Sequence, residues 1–314
     1  MRYLLAILLS GAAFAQTKAP APVLGMNNFI HATDDLDKTV AFYTDVFGLA
    51  KPAPPRPPNP AVPALINAPG AQLRVAVLRI PGSPFGFELT YFGAIERKGA
   101  RPQPTDPGAA FLVLKVRELG PITAALQRAQ APVVSRSSAG TIMVRDPDGY
   151  LVQVQETPAA AGAPASGNIL GAEMGMVVSD MDATAKFYRQ MLGFELSGDP
   201  KFSGTKATLD LFGAAEKAQF RRMSGTVPGT QSRMEFTEFK GVARTPFHLR
   251  VADPGCPAIA FRVDDLDALL KRAKAAGITV VSAGGVPAQF SATIRNIFIE
   301  DPSGFKIELY QTAQ

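Results

Sequence analysis

The chain repeats one supersecondary pattern four times. An acidic residue opens an amphipathic segment after a short apolar run near residues 34, 117, 179 and 264. Two repeats end on nearly the same phrase, DPDGYLVQVQ from Asp146 and DPSGFKIELYQ from Asp301. Self-similarity of this kind indicates one structural unit used repeatedly, and the matching phrases pair the four units into two halves of similar order.

Within a unit, the spacing of apolar residues predicts a strand, a helix and then about three strands. Residues 28–33 read as the first strand, and Thr33 or Asp34 can cap a helix that ends at Gly48. The third unit repeats this register before Gly193. Alternating apolar segments after the two helices predict strands at 73–80, 85–92, 207–212 and 233–239. The unit is therefore βαβββ.

Composition limits the function classes. The 314 residues are 46% hydrophobic, which is enough to bury one large or two ordinary cores. The net charge of +5 is spread along the chain, without a dense basic block that interleaves with aromatic residues, so nucleic-acid binding is not predicted. Cys256 is the single cysteine, so no intramolecular disulfide can form.

The N-terminus reads as an export signal. Residues 1–15 contain Arg2, an apolar run and an A-x-A site at Ala13 to Ala15. The run is far shorter than the roughly 20 residues that span a bilayer, so a membrane anchor is not predicted. We expect a periplasmic or secreted protein with an N-terminal domain at 16–156, a small-residue linker at 157–168 and a C-terminal domain at 169–314. The proline-rich residues 51–64 predict an extended surface loop.

The repeated phrases resemble the vicinal oxygen chelate superfamily, which groups glyoxalases, bleomycin and fosfomycin resistance proteins and ring-cleaving dioxygenases. The phrases that carry the resemblance are DLDKTVAFYTDVFG, SDMDATAKFYRQMLGF, DPDG and DPSGFKIELYQ. The resemblance implies an α+β fold in which four βαβββ modules pair into two cup-shaped mixed sheets with helices on the outer face. It also implies a metal held by the first and last strands of each unit.

Carried over to the N-terminal half, the family's ligand positions hold Asn28, Glu88, Phe111 and Gln153. Two amides and a phenyl ring beside one carboxylate make a poor divalent site. We therefore expect the N-terminal cup to be metal-free, with these four residues in a substrate pocket.

In the C-terminal half the same positions hold Glu173, Glu235, Ala258 and Glu308. Strand alternation directs the carboxylates, with Tyr310, into the cup and their apolar neighbours toward the helices. Three oxygen ligands at Glu173, Glu235 and Glu308 would favour Mg²⁺, Mn²⁺ or Ca²⁺. The alternative is that these glutamates are solvated or neutralised by lysine and arginine.

The histidines and the cysteine give weaker signals. His31 falls on the helix-facing side of its strand, which favours a packed residue over a ligand. His248 matches no metal position of the family but could act as a general base at a cup rim, together with Glu308 as a catalytic residue. Cys256 is expected to be a small buried residue.

Two function classes follow from the resemblance, with a structural reading beside them. The first is a metal-dependent lyase or isomerase that acts on a small carbonyl or vicinal-oxygen compound in the C-terminal cup. Ring cleavage by Fe(II) is disfavoured, because Glu173, Ala258 and Glu308 stand where two histidines and a carboxylate would be needed. The second is a non-catalytic small-molecule binding protein of the resistance-protein type. In the structural reading, the N-terminal half is only a packing partner.

Overall fold

The four units form two mixed β-sheets, and each sheet takes one unit from each half of the chain. The computed structural model of the protein describes residues 22–50 and 59–313. The predicted signal peptide at 1–15 and most of the predicted proline-rich loop lie outside these residues. In the described part of the chain, none of the helices combines the length and apolar character required to cross a membrane.

The first half contains units 1 and 2. Unit 1 consists of β1 (Val23–Ala32), α1 (Leu36–Phe47), α2 (Val62–Leu65), β2 (Gln72–Arg79) and β3 (Gly86–Gly93). Unit 2 consists of β4 (Ala110–Val116), α3 (Leu119–Arg128), β5 (Val133–Ser137), β6 (Thr141–Arg145) and β7 (Leu151–Glu156).

The second half contains units 3 and 4. Unit 3 consists of β8 (Ile169–Val177), α4 (Met181–Phe187), β9 (Ser197–Ser203), α5 (Lys206–Leu211), β10 (Gln219–Thr226) and β11 (Arg233–Lys240). Unit 4 consists of β12 (Pro257–Val263), α6 (Leu266–Ala275), β13 (Ala288–Gln289), β14 (Ile294–Glu300) and β15 (Lys306–Thr312). A π-helical turn, Tyr188–Leu192, continues α4.

Strand pairing across the halves builds the two cups. Cup A is the sheet of units 1 and 4, in the order β13-β14-β15-β12-β1-β3-β2, and its units meet at the antiparallel pair β1 and β12. Cup B is the sheet of units 2 and 3, in the order β5-β6-β7-β4-β8-β11-β10-β9, and its units meet at β4 and β8. The sequence predicted instead a cup within each half, and this pairing was wrong. The predicted domain boundaries therefore separate the two repeats of the sequence, but each sheet contains strands from both sides of the boundary.

The repeated helix starts have a common local cause. Asp35, Asp180 and Asp265 each accept a backbone N–H of the first helical turn, so three of the helices begin at the same type of cap. Gly48 has φ 69° and donates its backbone N–H to Thr44, which ends α1 as the sequence predicted.

One large apolar core lies between the convex faces of the two sheets. It combines helix residues such as Tyr43 and Leu269 with outward-facing strand residues such as Phe29 and Met174. Helix α1 contacts α3, and α6 contacts the π-helical turn, so the helices of one sheet pack on those of the other. The concave faces point away from this core, and each holds its own smaller apolar cluster.

Two short helices fill part of the concave faces and were not predicted. Residues 207–212 were predicted to be a strand, but Lys206–Leu211 is helix α5, because Leu209, Leu211 and Phe212 pack together inside cup B. Helix α2 overlaps the end of the predicted extended loop at 51–64, and its residues Val62 and Leu65 are buried in the concave cluster of cup A. In both segments tertiary packing overrides the local pattern.

Candidate functional site

A cavity of about 200 Å³ opens on the concave face of cup A. Its lining combines amides and carboxylates on one side with apolar side chains on the other. The lining residues are Asn27, Asn28, Asn59, Leu73, Val75, Val77, Glu88, Ala260, Phe290, Ile294, Asn296, Glu308 and Tyr310. Cavities with apolar walls and few polar groups are the usual form of small-molecule sites.

Two Asn–Glu pairs, one from each unit, face this cavity. Asn28 donates from Nδ2 to Glu88 Oε2 at 2.6 Å, and both residues belong to unit 1. Asn296 donates from Nδ2 to Glu308 Oε1 in unit 4. Strand alternation places each glutamate on the concave face, whereas Ile307 and Leu309 enter the convex core as predicted. Cup A thus carries one carboxylate from each half of the chain.

The Glu88 carboxylate influences the ionisation of Glu308. Burial of Glu308 disfavours its charged form, and the negative charge of Glu88 adds to this effect, so the pKa of Glu308 is raised to about 7. The hydrogen bond from Asn296 opposes the shift but does not cancel it. Glu308 is therefore divided between its protonated and ionised forms near neutral pH.

An oxygen beside this pair lacks a protein partner. Asn296 is 6% exposed, and its Oδ1 atom has no hydrogen-bond partner among the described residues. Buried polar atoms are nearly always paired with protein, water or ligand. Asn296 Oδ1 therefore marks a position where a donor or a cation would be favourable.

In cup B the corresponding carboxylates are neutralised by basic side chains. Lys115 Nζ lies 2.5 Å from Glu173 Oε1, and Arg222 Nε lies 3.2 Å from Glu235 Oε1. Burial raises the pKa of Glu235, and the charge of Arg222 opposes that rise. A cation bound between these glutamates would have to displace the protein's own cations.

The remaining predicted residues of cup B are Phe111, which is packed in its apolar interior, and Gln153 on the neighbouring strand. The Phe111 ring lies directly over Gly175, where an added Cβ would come within 2.0 Å of the ring, and its centroid is 5.8 Å from that of Phe212. Gln153 pairs with Val113 and Met143 of the neighbouring strands. Phe111 and Gln153 therefore lie in cup B, whereas Asn28 and Glu88 lie in cup A.

The predicted metal set of Glu173, Glu235 and Glu308 is not brought together. Glu173 and Glu235 are in cup B, and Glu308 is in cup A, because each sheet joins units from both halves. The structure also separates the predicted catalytic pair. His248 Nε2 lies 3.0 Å from Glu300 Oε1, in a different cleft from the cavity that Glu308 lines. Ala258 is buried on the concave face of cup A and offers no side-chain donor.

Sequence reasoning missed Asn296 and the surroundings of His31. His31 is fully buried among aromatic rings, as predicted, but its Nε2 atom also lies 2.7 Å from Asp146 Oδ2 and 3.4 Å from Asp148 Oδ2. Burial alone would lower the pKa of His31, but the two carboxylates outweigh burial and raise it to about 9. The repeated DPDG phrase that contains Asp146 was the available signal.

The group of His31, Asp146 and Asp148 has suitable atoms to hold a metal ion. However, the carboxylates already accept from Tyr43, Thr39 and the backbone N–H groups of Asp34, Asp148 and Tyr150. With His31 protonated, the imidazolium itself supplies the balancing positive charge. We interpret this group as a buried ion-pair network that joins units 1 and 2.

The comparisons with known proteins agree with this architecture. The family model described as Glyoxalase/Bleomycin resistance protein/Dioxygenase superfamily matches residues 25–154 and 172–309. The chain belongs to this superfamily. Each half of the sequence matches the model once, as expected for a tandem protein. No curated protein matches the sequence significantly.

Solved structures show the same fold at low sequence identity. Glyoxalase I from Zea mays aligns with a TM-score of 0.59 and 18% identity over 91% of this chain and 92% of that one. A putative dioxygenase from Bacillus subtilis aligns with a TM-score of 0.54 and 14% identity over 94% of this chain and 87% of that one. These levels of identity establish a shared fold and leave the chemistry to be argued from the site.

Proposed function

We propose that cup A is the active site of a lyase or isomerase that acts on a small carbonyl or vicinal-oxygen compound. The proposal rests on one observation. The carboxyl group of Glu308 lines the cavity, and its pKa is raised to about 7 by burial and by the charge of Glu88. A group with such a pKa both accepts and donates protons near neutral pH, which is what general acid–base catalysis needs. The site differs from the predicted one, because its second carboxylate is Glu88 from unit 1.

The residues of cup A define the proton transfer. As a carboxylate, Glu308 would remove a proton from the carbon next to the carbonyl, and the C–H electron pair would move toward the carbonyl oxygen. In an α-hydroxy carbonyl substrate, the proton of the neighbouring hydroxyl would pass to the former carbonyl oxygen, and the protonated Glu308 would return its proton to the former carbonyl carbon. The carbon that carried the hydroxyl becomes the new carbonyl carbon, which completes an isomerisation without any further reactant. Asn296 holds one oxygen of Glu308, so the other oxygen can face the substrate.

The donors of cup A fit an oxygen-preferring divalent cation such as Mg²⁺, Mn²⁺ or Ca²⁺. Asn28 and Glu88 occupy two of the family's four ligand positions and would hold the ion, and the unsatisfied Asn296 Oδ1 adds an oxygen donor, which leaves the free oxygen of Glu308 to act as the base. The fourth position, Ala258, has no donor, so water would complete the shell. When bound, such an ion would polarise the carbonyl oxygen of the substrate.

The walls of the cavity restrict the substrate. Leu73, Val75, Val77, Phe290 and Ile294 form the apolar side, which would exclude water around the reacting carbon. A volume of about 200 Å³ suits a small molecule rather than a peptide conjugate. We expect a substrate with a polar carbonyl end and a short apolar end.

The test is proton exchange at carbon, followed by NMR in D₂O with a panel of small α-hydroxy carbonyl compounds and added Mg²⁺ or Mn²⁺. Glu308→Gln should reduce the exchange rate about 100-fold or more. Gln153 holds the corresponding position in cup B, so the fold tolerates glutamine there. The matched control is Glu235→Gln, which alters cup B and should leave exchange unchanged. Equal rates for wild type and Glu308→Gln would reject the proposal.

The apolar side of the same cavity favours a second candidate function, a non-catalytic binding protein of the resistance type. In this case a small molecule would bind cup A with the same affinity before and after metal chelation. Calorimetric titration with and without EDTA, together with the exchange assay, separates the candidates. Binding that survives chelation without turnover favours the binding protein, and metal-dependent turnover favours the enzyme.

We also propose that the protein is exported, on the basis of residues 1–15. N-terminal sequencing of the protein from periplasmic and culture fractions tests this proposal. A mature chain that starts near Gln16 in those fractions supports it, and an intact Met1 in the cytoplasm contradicts it.

A further inference from the structure

A second cleft, of about 350 Å³, lies on cup A and does not share lining residues with the Glu308 cavity. The segment around α2 connects the two, since Asn59 lines the cavity and Ile66 lines the cleft. The cleft has polar groups on one side and apolar groups on the other. Its lining is Ile66, Asn67, Ala68, Pro69, Ile95, Glu96, His248, Leu249, Arg250, Ala252, Val281, Glu300 and Lys306.

The polar side of the cleft centres on a buried lysine. Lys306 is 2% exposed, and its Nζ atom lies 2.8 Å from Glu300 Oε1 and 2.9 Å from the carbonyl oxygen of Gly304. His248 Nε2 lies 3.0 Å from the same Glu300 oxygen. An ammonium group has three N–H donors, and these contacts use two of them. The third donor of Lys306 is therefore available to a ligand in the cleft.

The fold itself does not require lysine at this position. In unit 4, Lys306 pairs with Ala258 and Glu300, and in unit 2 the corresponding residue Leu151 pairs with Phe111 and Arg145. Leu151 is completely buried. A buried lysine loses its hydration, whereas a buried leucine gains from the same burial. Because an apolar residue serves the corresponding position, the Lys306–Glu300 pair is a feature of unit 4 that the fold does not require, and it lies on the wall of the cleft.

The imidazole of His248 is held over the cleft by the backbone below it. Gly304 has φ 83°, and a Cβ at this residue would come within 2.6 Å of His248 Cδ2. The close approach therefore depends on glycine in two ways, through its conformation and through its missing side chain. His248 is fixed between this glycine and Glu300, with 58% of its side chain still exposed.

The backbone at two other points beside the cleft adopts strained conformations. Asn67 lines the cleft with φ 52°, and Ala94, which precedes the lining residue Ile95, has φ 61°. Left-handed conformations are unfavourable for residues with a Cβ and occur preferentially at functional sites. Two of the three such residues in the described chain flank this one cleft.

We propose that this cleft binds a small carboxylate with an apolar chain. The carboxylate would accept a hydrogen bond from Lys306 Nζ and, when the imidazole carries both protons, a second one from His248 Nδ1, because His248 Nε2 faces Glu300. Arg250 is already paired with Asp253 at 2.7 Å, so Lys306 and His248 are the donors that would offset the negative charges of Glu300 and Glu96. The apolar chain would lie on Ile66, Ile95, Leu249 and Val281. This proposal does not depend on the chemistry proposed for Glu308.

The test uses hexanoate as the probe, with hexanamide and hexylamine as matched compounds that change only the head group. Saturation-transfer NMR and calorimetry on the full protein should show saturable binding of hexanoate below about 10 mM. Hexanamide and hexylamine should bind at least about tenfold more weakly, because charge-assisted hydrogen bonds are the stronger ones. Equal binding of the three compounds, or no saturation by hexanoate, would overturn the proposal.

Substitutions in the cleft identify the site at which hexanoate binds. Lys306→Leu introduces the residue of unit 2 and should weaken hexanoate binding at least about tenfold, while hexanamide binding stays the same. His248→Gln should weaken hexanoate binding to a smaller extent, and it serves in place of Lys306→Leu if that variant does not fold by circular dichroism. Glu308→Gln is the control for the other cavity and should change the affinity less than about twofold. Loss of binding in Glu308→Gln, or full binding in both cleft variants, would contradict the assignment.

Discussion

His31 Nε2 lies 2.7 Å from Asp146 Oδ2, and both side chains are completely buried between units 1 and 2. The corresponding place between units 3 and 4 has no ion pair. The position of His31 is occupied there by Met176, and the position of Asp148 by Ser303. Asp301 occupies the position of Asp146. The tyrosine contacts differ, since Tyr43 donates to Asp146 Oδ2 whereas Tyr188 donates to Met176 Sδ. Asp146 and Asp301 each accept two backbone N–H groups of their own turn through Oδ1. The protein thus contains one version of this junction with an ion pair and one version without.

The ion pair of His31 with Asp146 should make the free energy of unfolding decrease as the pH becomes alkaline. The pKa of His31 is raised from 6.5 to about 9 in the folded state, so its contribution is complete below about pH 6.5 and is lost as the pH rises through 9. His31→Met leaves two buried carboxylates without a cation and should lower the free energy of unfolding by about 3–5 kcal/mol at pH 6. Urea unfolding at pH 6 and pH 10 measures this, and the loss should be smaller at pH 10. Equal losses at both pH values would contradict the ion pair.

The junction between units 3 and 4 suggests a second substitution that should rescue that variant. The double variant His31→Met with Asp148→Ser reproduces the residues found beside Asp301, so one of the two buried charges is removed. We expect it to recover about half or more of the stability lost in His31→Met, since a buried ion pair replaced by neutral groups is often nearly neutral in stability. Urea unfolding of the two variants at pH 6 makes the comparison. A double variant that is less stable than His31→Met would show that the junctions are not interchangeable.

Asp301 and Asp146 should respond oppositely to the same substitution. Burial raises the pKa of Asp301 to about 6, so its ionisation destabilises the folded state as the pH rises from about 4 through 6. Asp301→Asn removes this ionisation and keeps an oxygen for the two backbone N–H groups, so unfolding at pH 8 should require about 1–3 kcal/mol more free energy. Asp146→Asn is the matched control and should destabilise, because it removes a partner of protonated His31. Thermal or urea unfolding of both variants at pH 8 tests the pair, and the same sign of change in both would contradict this explanation.

These residues also show how far sequence reasoning reaches. The helix register and the strand faces follow from local periodicity, so the end of α1 at Gly48, the burial of His31 and the concave position of Glu308 were predicted. The cap of α1 was predicted at Thr33 or Asp34 and is Asp35. The pairing of the units into sheets was not predicted. The first strands of all units have similar edges, and the local pattern does not distinguish β12 from β4 as the neighbour of β1. The grouping of Glu173, Glu235 and Glu308 was wrong for that reason alone. Asn296 was missed because only its neighbour across the strands, Glu308, gives it a role.

Glu308→Gln should raise stability while it lowers activity. The pKa of Glu308 is raised from 4.5 to about 7, so wild-type stability falls as the pH rises through that range. Glutamine at this position stays neutral, and the free energy of unfolding at pH 8 should rise by at most about 3 kcal/mol, less where water in the cavity screens the charge. Unfolding of wild type and variant at pH 5 and pH 8 measures the effect, which should be small at pH 5. A variant that is less stable at pH 8 would contradict the raised pKa.

The pairing of units across the halves predicts that neither half folds alone as a monomer. Residues 22–156 contain units 1 and 2, which belong to different sheets, so each unit would expose the strand edge that its partner from the other half covers. Separately expressed halves should lack the cooperative unfolding of the full chain, and mixing them should restore it together with the near-ultraviolet circular dichroism of the packed tyrosines. Size-exclusion chromatography with light scattering identifies the restored species as a complex of one copy of each half. A monomeric half that unfolds cooperatively would show that units 1 and 2 can form a cup by themselves, as the repeat in the sequence alone would suggest.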